Sequence, residues 1–218
     1  MTIPYWSDLF AAAGSVAIVY AYHTFLRLRV QRDPGYTIQA VLNQGRTAWV
    51  ERMMAEGQGI LAVQTLRNAI MAATFFASTA VALIVGTLTL STQSDKVIVA
   101  WHTLSPVGAI DEHLWLLKLL LLLVDMLSAF VFFSQAIRLM SHVGVLISVP
   151  PTTLRPAYVA ALLIQAGRYH TRGMRCYYYA APLLFWLFGP LLLLVSTCAL
   201  VGALYYLDKS PARAAHIA

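Results

Sequence analysis

In the segment 116–133, LLKLLLLLVDMLSAFVFF, Lys118 and Asp125 stand alone among apolar side chains. Asp125 lies about eleven residues, or roughly 16 Å, into a run long enough to cross a bilayer. An ionisable group near the middle of a membrane span is costly and faces the bundle interior by default, where it can serve permeation or carry a proton. Lys118 precedes Asp125 by seven residues and so shares its helix face, nearer one membrane surface. Asp125 is expected either to serve permeation or proton handling, or to be structural, in an ion pair or as a protonated carboxyl bonded to a neighbouring helix. A second constellation lies in 62–78, AVQTLRNAIMAATFFAS, where Gln64, Arg67 and Asn68 follow i, i+3, i+4 spacing and share one face. Two amides beside an arginine have no reason to face lipid. The expectation is a stripe that holds another helix by hydrogen bonds, each worth about 0.6–2 kcal/mol, or that forms part of a vestibule attracting anions. Arg138 and Arg175 add cationic groups at the same end of their runs.

The elements that carry these residues follow from composition. The chain of 218 residues is 60% hydrophobic and only 11% charged, with a mean hydropathy of +0.70. Soluble domains carry roughly 25% charged residues, so the class is an all-α polytopic membrane protein. Four runs are long enough to cross about 30 Å of hydrocarbon, which takes roughly 20 helical residues. They cover about 9–26, 60–90, 114–140 and 176–207, and together give one integral membrane domain over 1–218. Each is expected to be a helix, because unpaired backbone groups are too costly in lipid.

Eleven of the fifteen Lys and Arg fall between runs one and two or between runs three and four, or at their edges. The positive-inside rule then places those segments in the cytoplasm and both termini outside. The reading is of a bacterial inner (plasma) membrane protein. A net charge of +6 does not imply nucleic acid, because the basic residues flank apolar runs. Two further helices are expected on the cytoplasmic side. From Thr37 to Gly57, Ile38, Val41, Leu42, Trp49, Val50, Met53 and Met54 recur at helical spacing. The stretch PAYVAALLIQAGRYH, after VPPTTLRP, is too short to span and suits an interfacial or re-entrant helix. Tyr5, Trp6, Trp101, Trp115, Tyr205 and Tyr206 are expected at the outer boundary.

Gly189 and Pro190, in FWLFGPLLLL, fall near the middle of the fourth run. Proline removes a donor and frees the carbonyl of Trp186, so a kink is expected there. Cys176 and Cys198 are too far apart along a helix for a disulfide and form no CxxC pair. The six histidines make no matched pairs within the runs, so no haem is expected. His23, His142 and His170 fall on the cytoplasmic side, and His102, His113 and His216 fall elsewhere. Glycine-rich phosphate loops, nucleophile elbows and HExxH are absent. The chain is read as a non-enzyme with no cofactor and no metal.

The blocks GRTAWVERMM, GILAVQTLRNAIMAATFFAST, QAIRLMSH, GMRCYYYAAPLLFWLFGP and LYYLD occur in that order over 36–208. With them the chain resembles the domain of unknown function 599 family, integral membrane proteins of bacteria and plants. The resemblance implies no activity and no catalytic residue. It implies that Arg46, Trp49, Gln64, Arg67, Asn68, Arg138, Gly173, Arg175, Trp186, Gly189, Pro190 and Asp208 occupy motif positions. The functional expectation is an oligomeric channel or transporter-like protein for a small ion or solute. The alternative is a non-catalytic scaffold or accessory subunit that docks a membrane partner through the second span or the 37–57 helix.

Overall fold

The computed structural model describes residues 5–33, 35–92 and 112–209. The expectations placed on Trp101, His102 and His216 lie outside the described residues, as does the Tyr5 side chain. The described residues form six helices: α1 (Tyr5–Arg32), α2 (Ile38–Ala55), α3 (Gly59–Thr92), α4 (Glu112–Leu146), α5 (Pro156–Trp186) and α6 (Pro190–Asp208). Four of them, α1, α3, α4 and α6, are long and apolar enough to cross a membrane. Only 17% of the most apolar window of α3 is buried within the chain. The remaining apolar surface needs a non-aqueous surrounding, which makes this an all-helical membrane protein.

Local chemistry sets the boundaries. Thr37 is extended (φ −103°, ψ 144°) and opens α2. At the other end Gly57 takes the left-handed φ of 65°, and the Gln58 amide donates back to the Met53 carbonyl. That turn suits glycine, since a Cβ is disfavoured there. It lets α3 begin two residues later. The prolines of the SVPPTTLRP stretch end the helical path after α4, and Pro156 opens α5, where its missing N–H is not needed. The segment expected as a short interfacial helix is therefore the first half of a helix of 31 residues.

The fourth apolar run also differs from expectation. Residues 176–207 do not form one kinked span. The chain leaves the helix at Trp186 and starts another at Pro190. Amides of Leu187, Phe188 and Gly189 donate to carbonyls three residues back, tightening the last turn of α5. Gly189 then adopts φ 146°, a conformation open to glycine alone, and Pro190 fixes the first turn of α6. The Gly189–Pro190 pair is thus a break between two helices.

By contacts the chain divides into two compact units. The first comprises Met1–Arg32, Val81–Leu127 and Cys176–Leu207. In it Ala11 of α1 packs with Leu193 of α6 and Trp186, and Leu122 and Met126 of α4 pack with Ala180 of α5. Gly14 of α1 faces Leu194 of α6. The starts of α1 and α6 therefore lie side by side, and the two helices run in the same direction. The second unit comprises Asp33–Ala80, Ser128–Arg175 and Asp208–Ala218. Its core joins Val50, Met53 and Met54 of α2 to Ala62 and Leu66 of α3, Val143 and Ile147 of α4, and Val159 and Leu163 of α5. Here Thr37, just beyond α1 and ahead of α2, bridges Lys209, the residue that follows α6. Asp208 meets Arg175 of α5. The Thr37–Lys209 bridge brings the residue just before α2 to the residue just after α6.

Candidate functional site

Three polar constellations stand out among the described residues. The first centres on Lys118, in the first unit. Its ammonium lies 2.8 Å from the Asp8 carboxylate of α1 and donates at 3.3 Å to the Trp186 carbonyl, at the end of α5. The Trp186 indole N–H donates to the same Asp8 oxygen at 2.8 Å. The ammonium also sits 5.2 Å from the centre of the Trp186 ring. Lys118 is therefore paired with Asp8 of α1, and Asp125 of its own helix bonds elsewhere. Seven residues along a helix is about 10 Å of rise, and Asp8 on a neighbouring helix comes into direct contact. Sequence reasoning gave Asp8 no partner, because the pairing spans two distant segments. The ammonium is a second donor to the Trp186 carbonyl, which also accepts from the Gly189 amide at 3.1 Å. A cation at a helix C-terminus is favoured by the exposed carbonyls and the helix dipole. Asp8 and Trp186 also line a cavity of about 260 Å³, whose other walls are Trp6, Leu9, Ala12, Leu114 and Leu117. An almost wholly apolar lining excludes water and strengthens the adjacent ion pair.

Asp125, the second constellation, is half-buried in the same unit. It hydrogen-bonds with the Cys176 thiol of α5, and its Oδ2 has no hydrogen-bond partner. A carboxyl with one oxygen committed and one free can take up a proton or a small cation. The thiol supplies a soft, apolar wall on one side.

The third is the α3 stripe. Gln64, Arg67 and Asn68 are all exposed. Among the described residues no helix covers them, although sequence reasoning gave them a neighbouring helix to hold. The residues of α3 that do pack in the second unit, Ala62, Leu66, Ala73 and Ala77, lie on another side of the helix. Arg138 is likewise exposed. Arg175 instead pairs with Asp208 at 3.1 Å, both partly buried, so it ties the end of α6 to α5. Trp49, expected as a possible docking residue, packs against the core of the second unit.

The family model described as "Protein of unknown function, DUF599" matches residues 10–212. The chain belongs to this family. The match covers almost all of the described helices, and of the residues that build the three constellations only Asp8 falls outside it. No curated protein and no solved structure matches the chain. The family description carries no activity, and a functional reading has to come from the geometry.

The Lys118 cluster gives a direct test of what holds the first unit together. Lys118→Met leaves Asp8 buried without a cation and is expected to cost about 3 kcal/mol or more. Lys118→Met combined with Asp8→Leu removes both charges and is expected to recover a large part of that loss. Thermal unfolding in mild detergent reads the difference. A double variant less stable than Lys118→Met alone would mean that the pair is not the unit's electrostatic anchor.

Proposed function

We propose that the protein is a non-catalytic membrane assembly protein that pairs with a second copy of itself along α3. The observation that carries this reading is the exposure of Gln64, Arg67 and Asn68 together. Copies inserted in one membrane share an orientation, so a twofold axis between them runs along the membrane normal. Each residue on that axis then meets its own copy at the same depth. Amide side chains suit this arrangement because each both donates and accepts. Gln64 and Asn68 can bond to their counterparts, and Arg67 beside them can donate to amide oxygens across the seam. Met71, 62% exposed, and Phe75, 69% exposed, continue the same face over the next two turns and would close it with apolar contact.

Disulfide trapping tests the seam. In a Cys198→Ala background, Gln64→Cys is expected to cross-link to its own copy in native membranes, whereas Ala69→Cys on the opposite side of α3 is not. Replacing Gln64 and Asn68 together by Leu should weaken the dimer roughly tenfold, as the loss of two interhelical hydrogen bonds requires. Equal trapping at both positions would remove the α3 seam.

A second reading, a path for protons or a small cation, is favoured by the free oxygen of Asp125. In liposomes containing purified protein, an imposed gradient should then drive a flux that Asp125→Asn abolishes. No flux, or a flux unaffected by that change, leaves assembly as the function.

The parallel course of α1 and α6 bears on topology. With α5 taken as a further crossing beside the four long apolar helices, this course favours an amino end outside and a carboxyl end in the cytoplasm. Tags at the two ends are expected to differ in accessibility to a membrane-impermeant reagent on intact cells. Both tags outside would restore a topology with four crossings.

A further inference from the structure

Arg46 is an arginine without an anion. Its guanidinium lies against the backbone of α5 in the second unit, so close to Gly167 that a Cβ there would fall 2.4 Å from a guanidinium nitrogen. Of its five N–H donors, one is used on Asn43 Oδ1, at 2.9 Å on its own helix. Among the described residues it makes no ion pair. Glu56 is taken by Arg52 and Asp208 by Arg175. Burial pushes the Arg46 pKa down, the response of a cation that has lost water without gaining a counter-ion.

One turn along α5 from Gly167 stands His170, and one turn further Gly173. The i, i+3, i+6 spacing puts all three on one face. At Gly173 the missing side chain makes room for Phe133, since a Cβ would lie 2.8 Å from its ring. Phe133 and Phe76 stack on each other at 5.4 Å and present themselves edgewise to the His170 imidazole, at 5.4 and 6.3 Å. The imidazole is thereby held in place, and it has no hydrogen-bond partner among the described residues. Burial, and secondarily the Arg46 charge, hold its pKa below the ordinary histidine value. Neutral imidazole still offers one N–H.

We infer that Arg46 and His170 form a binding site for an oxyanion of the phosphate class. The guanidinium fork recognises two oxygens of such a group at once. The imidazole N–H, coming from a different helix, suits a third oxygen, which phosphate has and carboxylate lacks. The phosphate can be inorganic or the headgroup of a phospholipid.

Thermal unfolding of the full chain in detergent distinguishes these. Inorganic phosphate and a short-chain phosphatidic acid are titrated separately, with chloride at matched ionic strength as the baseline. The wild type is expected to gain several degrees with at least one of them. Stabilisation by inorganic phosphate identifies a free anion, and stabilisation by phosphatidic acid alone identifies a lipid headgroup. Arg46→Lys keeps the charge but loses the fork, and should lower the apparent affinity roughly tenfold. His170→Phe keeps an aromatic ring but removes the N–H donor, and provides a second variant should the first unfold. No shift of the wild type with either probe, or an undiminished shift in both variants, overturns the site.

Discussion

A lysine ammonium taken out of water must find an anion, and the first unit is organised around how Lys118 does so. Asp8 comes from α1, the ammonium from α4, and the capped carbonyl and indole from the end of α5. Three helices are tied at one point by contacts of 2.8–3.3 Å. The reversal into α6 follows directly, because the residue whose carbonyl Lys118 caps is the last before the Gly189 turn. Apolar packing is non-directional and gives helices in lipid little relative preference. A buried ion pair with a hydrogen-bonded third member supplies the direction that packing lacks.

The second unit reaches specificity differently. Its contacts depend on removing side chains from α5, at Gly167 and Gly173, so that Arg46 and Phe133 can lie against the helix. Close approach of this kind gains dispersion contacts and fixes rotamers, and it brings Arg46 against α5 one turn from His170. The two units therefore hold different polar chemistry. One has a closed ion pair whose charges cancel. The other has an arginine and a histidine whose hydrogen-bonding capacity is largely unused.

Much of this was legible in the residues. Hydropathy gives the four long apolar helices, and the helical spacing from Ile38 to Met54 gives α2, because those patterns depend only on rise and rotation per residue. The shared face of Gln64, Arg67 and Asn68 is legible for the same reason. What covers that face is not, since spacing along a helix does not set its rotation against a neighbour. The Lys118–Asp8 pair was hidden because periodicity relates residues within a helix, and the decisive partner sat on another. The Gly189–Pro190 break was read as a kink because a proline in an apolar run is compatible with both outcomes. Choosing between them takes a positive φ at Gly189 and a cation to cap Trp186. His170 gave no signal alone; the Gly-x2-His-x2-Gly spacing could have raised it, but only beside a facing arginine.

The meeting of Asp8 with Trp186, 178 residues apart in the chain, also orders events during synthesis. Asp8 enters the membrane region before either of its partners exists, and first meets a cation when α4 has been made. The break at Gly189 becomes capped only as the growing chain reaches α6, whose far end then brings Lys209 to Thr37. Nascent α1 must wait beside the insertion machinery, or stay hydrated at its amino end, until α4 supplies Lys118. A chain released before α6 would lack the helix that packs beside α1. It would be a natural substrate for membrane quality control, since long-range closure of this kind is what incomplete chains cannot achieve.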